Sequence, residues 1–127
     1  MLQLYKSRSL EVGGKVRVYF NLHTNLFSVV SMEGKHKGKV VAHGNGIIIA
    51  EAEFKVNKAG QEQVRKTKRK SVHAYVDGIF IGLTDETLNK QAYYNPYLTD
   101  YFMDWESKEN VFNAKAVVLK DKRVTYS

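Results

Sequence analysis

The chain contains no cysteine. That removes disulfides, thiolate nucleophiles and every metal site that needs sulfur, and it suits a reducing cytoplasm. There is one proline, Pro96, so nearly all turns must come from glycine, asparagine and aspartate. No apolar run reaches the roughly 18 residues that suggest a membrane helix, and residues 1–6 lack the charged-then-apolar layout of a secretory signal. Internal repeats, low-complexity tracts and linkers are missing too. So are a P-loop, a strained serine elbow and paired carboxylates on a rigid frame. Nothing here asks for an enzyme. Binding is the better class.

The 127 residues, 43% hydrophobic and 26% charged, suit one domain that can bury a core without staples. Periodicity reads mostly as strands. Residues 15–21 alternate, with Val16, Val18 and Phe20 on one face. Residues 26–30 and 39–43 are two more strands, separated by a surface loop rich in glycine and lysine. Asn45-Gly46 predicts a two-residue hairpin, leading to a strand with Ile48, Ala50, Ala52, Phe54 and Val56 facing in.

Asn57 predicts a helix N-cap, and the helix extends over residues 58–70 despite Gly60. Residues 72–76 alternate again, and Asp77-Gly78 is a second hairpin signal before residues 79–81. Thr84 is positioned to cap a short helix through Lys90. Tyr93-Tyr94-Asn95-Pro96-Tyr97 forms an aromatic turn, because proline biases Asn95 away from helix. A last strand covers residues 114–119, and the tail returns to basic character. The expectation is one α+β ligand-binding domain over residues 1–127. It has an antiparallel sheet of about six strands and one or two short helices.

The charge is concentrated. Residues 57–70 contain six basic side chains against Glu62, net +5 of the chain's +7. A solvated helix face and dipole complementation are the plain explanations. Arg65 and Arg69, four apart on one predicted helical face, favour an anionic ligand instead, since guanidinium forks grip phosphate bidentately. The lysines then supply field and solubility. His23, His43 and His73 fall in or at the ends of strands without metal-ligand spacing, so satisfied structural histidines are the better reading and no metal is expected. The tyrosines offer stacking faces, and the Asn95 amide can read a base edge. Their plainer role is to plug one end of the sheet.

Several segments carry a resemblance. They are Val18-Tyr19-Phe20-Asn21-Leu22-His23, Phe27-Ser28-Val29, Gly38-Lys39-Val40-Val41-Ala42-His43 and Phe54-Lys55-Val56. Gly60, Val64-Arg65, Lys68-Arg69-Lys70-Ser71-Val72-His73-Ala74 and Tyr94-Asn95-Pro96-Tyr97 continue it. Over roughly residues 15–97 the pattern resembles the first described family of phage-encoded Thoeris anti-defence proteins. That resemblance implies a non-catalytic sponge that sequesters a cyclic ADP-ribose-type signal in the cytoplasm of the infected bacterial host. It also implies a homo-oligomer with ligand pockets at subunit interfaces, no cofactor, no membrane partner and, in some members, separate pockets for cyclic trinucleotides. Gln61 and Gln63 depart from the family's arginine-rich helix, which bears on the trinucleotide pocket.

The candidate ligand contacts are Arg65, Arg69, His73, Tyr93, Asn95, Tyr97 and Arg123. Arg123 enters as the only arginine after Arg69. The alternative is a basic nucleic-acid-binding phage protein, for which the sequence pI near 9.5 and the basic helix speak.

Overall fold

Alternating apolar residues on adjacent antiparallel segments build one curved sheet in the computed structural model, which describes residues 2–127. The strands are β1 (Leu2–Leu4), β2 (Lys15–Asn21), β3 (Leu26–Ser31), β4 (Val40–Gly44) and β5 (Ile47–Val56). The helix α1 (Lys58–Thr67) follows. Then come β6 (Ala74–Leu83), β7 (Lys90–Tyr93), β8 (Met103–Asp104), β9 (Asn113–Lys120) and β10 (Arg123–Tyr126). A 3-10 turn, Gly34–His36, sits between β3 and β4. The α+β character stands, mostly antiparallel sheet with one α-helix. The sheet has ten strands among the described residues, not about six.

The hydrogen-bonded order is β1-β4-β3-β2-β6-β5-β9-β10-β7-β8, antiparallel throughout. Phe27, Val29 and Val41 from one wing share a core cluster with Ala92, Leu119 and Tyr126 from the other. The sheet therefore curls around one apolar interior. Each fully buried Val or Ile there is worth roughly 1.5–3 kcal/mol against exposure.

Several local expectations are corrected, each for a physical reason. Asn45-Gly46 is a link and not a hairpin, because β4 pairs with β1 and β3 while β5 pairs with β6 and β9. Gly46 is needed there: its φ is +72°, and a β-carbon would come 2.2 Å from the Thr84 carbonyl oxygen. In β5 the inward residues are first Ile47 and Ile49, then Ala52 and Phe54. The phase flips at Glu51, whose φ is +51°, where the β5–β6 register shifts. One extra residue at a bulge reverses every side chain upstream of it.

Asp77-Gly78 runs inside β6 and makes no turn. The Asp77 carboxylate takes two hydrogen bonds from Arg17 on β2, 2.8 and 2.9 Å long. That pairing holds the Arg17 guanidinium above its usual range, through the hydrogen bond first. Gly78 is required by packing, since a β-carbon there would meet Ile49 Cγ2 at 2.3 Å. The predicted helix over residues 84–90 is absent; the Thr84 hydroxyl oxygen accepts from the Glu86 N–H in a local turn. The basic tail hides β10, reached by a two-residue turn of Asp121 and Lys122, both at positive φ.

Candidate functional site

The Asn57 side chain caps α1 as predicted, accepting from the Gly60 N–H at 3.1 Å. The helix ends at Thr67, three residues before the predicted end. Lys68 turns left-handed at φ 61° and donates its N–H to the Val64 carbonyl. The Thr67 hydroxyl oxygen accepts from the Arg69 N–H. Arg65 and Arg69 therefore do not share a helical face. Residues 68–73 leave α1 as a strap that crosses toward β6.

That strap forms one wall of a cleft of about 640 Å³, a volume within the range of small-molecule sites. The end of β2 with Leu22 and His23, the end of β7 with Tyr93 and the following turn with Tyr97, and the head of β10 form the other walls. Core side chains including Phe27, Val76, Phe102 and Leu119 line its apolar part. The β9–β10 turn is pinned by Asn45: its amide donates to Asp121 Oδ1, and its carbonyl oxygen accepts from the Asp121 N–H. That turn delivers Lys122 and Arg123 to the cleft.

The electrostatics are one-sided. Lys68, Arg69, Lys70, Lys122 and Arg123 line the cleft, and no aspartate or glutamate does. Among the described residues none of these five forms an ion pair, whereas Arg17, Lys55, Arg65, Lys66 and Lys120 all do. Tyr97 lies under Lys68, whose Nζ is 5.3 Å from the ring centroid. Such a surface attracts a desolvated anion and offers rings beside it.

Behind the wall lies a polar network that fixes its shape. His73 is buried. Its Nδ1 faces the Ser71 carbonyl oxygen at 2.8 Å and so carries the hydrogen; its Nε2 then accepts from the Tyr94 hydroxyl at 2.7 Å. The buried Gln61 amide donates to that same hydroxyl and to the Thr99 carbonyl. Burial pushes the Tyr94 hydroxyl above its usual range, partly opposed by Gln61. Arg65 Nε donates to the Pro96 carbonyl, and its Nη2 donates to the Thr99 carbonyl and to Asp100. Helix α1 thereby braces both the strap and the turn after β7.

Of the seven candidate contacts, the structure brings Arg69, His73, Tyr93, Tyr97 and Arg123 together around the cleft. It places Arg65 and Asn95 outside the lining. Arg65 is the brace just described, and the Asn95 side-chain oxygen accepts from the Tyr97 N–H, shaping the turn. Lys68, Lys70, Lys122 and Tyr75 line the cleft without having been singled out as contacts. The basic pair Lys122-Arg123 beside Asp121 was the visible signal for a charged turn at the head of a strand. The three histidines do not converge: His23 and His73 both line the cleft, whereas His43 lies outside the lining, its Nδ1 meeting the Ser28 hydroxyl at 2.8 Å. Among the described residues no group of three His, Asp or Glu side chains is placed to hold a metal ion. No helix of the described residues is long and apolar enough to cross a membrane.

Residues 9–127 match the family described as the Mycobacterium phage L5 gene 82 protein. The chain belongs to that family. The gene 82 protein of Mycobacterium phage L5 is 33% identical to it over 117 residues, covering 87% of this chain and 93% of the relative. No solved structure matches the chain. Membership supports the phage origin expected from the sequence and places residues of every cleft wall within the matched segment.

Proposed function

We propose that this protein binds a cyclic ADP-ribose-type signalling nucleotide in the cleft and holds it unchanged, blocking Thoeris defence in the cytoplasm of the infected host. One observation carries the reading: five cations without ion pairs line a partly apolar cleft to which no carboxylate contributes. Phosphates suit the two cationic walls, and a purine suits the tyrosine faces. Sequestration rests on slow release, which an enclosing wall favours over an open face. The exposed Leu22 and Val72 at the cleft suit cover by a second copy, in keeping with a homo-oligomer; sedimentation velocity tests that assembly.

The alternative of nucleic-acid binding through the basic helix is weakened by the helix itself. Arg65 is committed to Asp100, and Lys66 to Glu62. Calorimetry against a panel of cyclic ADP-ribose isomers, cyclic trinucleotides and linear ADP-ribose decides the proposal. Tight binding of a cyclic species, with intact ligand recovered after heat denaturation, is the supporting result. Silence across the panel refutes sequestration, and turnover of the ligand makes the protein an enzyme.

A further inference from the structure

The β2–β3 ladder pairs Asn21 with Leu26 at the cleft end and Val16 with Ser31 at the other. Five residues of strand separate the two ends by roughly 17 Å. At that second end lies another cationic surface, assembled from two parts of the chain. The loop after β3 supplies Lys35, Lys37 and Lys39, all exposed. The turn after β1 supplies Lys6 and Arg8, folded back because the Tyr5 N–H donates to Val41 and Arg8 Nη1 donates to the Val40 carbonyl at 2.8 Å.

Among the described residues none of these five cations forms an ion pair. The nearby Glu33 carboxylate is engaged by the Lys15 N–H. His36 sits among them. Its imidazolium form is disfavoured by desolvation first and then by the charges of Lys35, Arg8 and Lys39, so the two segments share one field.

The surface also has an aromatic centre. The partly exposed Tyr5 ring has Lys6 Nζ at 5.3 Å and the Arg8 guanidinium carbon at 5.6 Å from its centroid. Its own ring stacks edge-on with His43, which holds it in place. The ring is thus fixed beside the two cations of its own turn, and Arg8 joins that turn to the field of Lys35 and Lys39 around His36. A flat ring flanked by spaced, unpaired cations is the arrangement that takes successive bases and phosphates of a single strand.

We propose that this surface, separate from the cleft, binds single-stranded nucleic acid, with Tyr5 stacking a base and Lys6, Lys35, Lys37 and Lys39 contacting phosphates. Binding is independent of sequence, since the contacts are to phosphate and to ring faces. Four phosphate contacts on a single strand make affinity fall about 50-fold between 50 and 200 mM salt.

The test is fluorescence anisotropy of the full chain with a fluorescein-labelled oligothymidylate at several salt concentrations. The triple variant Lys35→Ser, Lys37→Ser, Lys39→Ser lies on exposed side chains, so its fold is checked by circular dichroism. It should bind at least tenfold more weakly and show a shallower salt slope. Tyr5→Ala should weaken binding about tenfold, and Arg69→Ala with Arg123→Ala in the cleft should leave it unchanged. Unaltered affinity in the folded triple variant overturns the proposal. So does loss of oligonucleotide binding only in the cleft variants, or binding confined to phosphatidylglycerol vesicles. Because the cleft variants are read separately, failure here leaves the nucleotide-sequestration reading to its own test.

Discussion

Gly60, in the first turn of α1, lies against His73: a β-carbon on Gly60 would stand 2.6 Å from the His73 β-carbon. The glycine that looked like a flaw in the helix is the point where the helix and the strap touch. Gly60→Ala tests the contact because two effects oppose each other. Helix propensity alone favours alanine, by about 1 kcal/mol at most for a first-turn position. Overpacking against a braced wall costs about 1–3 kcal/mol. The expected outcome is net destabilisation in urea titration, with weaker ligand binding as residues 71–73 shift. A more stable variant would show that the strap yields freely.

The network behind the cleft predicts a cost out of proportion to the atoms removed. Tyr94→Phe deletes one oxygen but leaves His73 Nε2 facing an apolar ring. It also takes away one of the two acceptors of the Gln61 amide. A buried polar group left unsatisfied costs about 1–3 kcal/mol. Chemical denaturation of the variant should show a loss of that order, whereas Tyr97→Phe at the exposed rim should be nearly neutral.

Arg65, Arg69 and Arg123 should separate into two behaviours. Arg69→Ala and Arg123→Ala should each weaken nucleotide binding about tenfold or more, since a hydrogen bond to a charged group is worth about 1.5–3 kcal/mol, while thermal stability holds. Arg65→Ala should instead lower stability by about 1 kcal/mol, because its partners are carbonyls of the 96–100 turn and the half-exposed Asp100 pair adds little. Calorimetry and thermal melts on the three variants give the comparison. Equal effects of all three on binding alone would remove the bracing role.

The Asp104–Tyr126 pair predicts a pH dependence whose direction is fixed. The Tyr126 hydroxyl donates to Asp104 at 2.5 Å, and this bond, ahead of backbone hydrogen bonds from Ser107 and Glu106, holds the carboxyl at about 2 against an ordinary 3.8. A depressed carboxyl stabilises the fold fully above about pH 4, and the contribution is lost as pH falls through 2. Tyr126 itself is pushed up to about 12, by burial first and the Asp104 bond second, so its contribution holds below pH 10 and is lost as pH rises through 12. Stability of Asp104→Asn measured across pH 4 to 2 should fall less steeply than that of the parent chain. Parallel curves would mean the pair does not titrate as a unit.

Much of the sheet was legible because burial imposes a period of two. Val16, Val18 and Phe54 face the core as their alternation predicts. The N-cap at Asn57 was legible from its chemistry alone. Errors gathered where one residue has two possible uses. Asp77-Gly78 has the composition of a turn, but the cross-strand demand of Arg17 and the closeness of Ile49 place it in a strand. Glu51 gives no local sign of a bulge, yet it sets which isoleucines are buried. Five of seven candidate contacts reach the cleft because side-chain chemistry selected them. Arg65 and Asn95 carry equally suitable groups, but neighbouring carbonyls and N–H groups claim them first.

By itself the sequence determined the antiparallel class, the missing chemistries and the excess of positive charge, since composition and periodicity act locally. Only the tertiary structure decided which cations are free of carboxylates. That depends on where α1 stops, where β10 begins and how the sheet curls. The pairs Lys68-Arg69 and Lys122-Arg123 are far apart in the chain and meet only because the left-handed Lys68 and the two-residue turn at Asp121 and Lys122 aim them at one space.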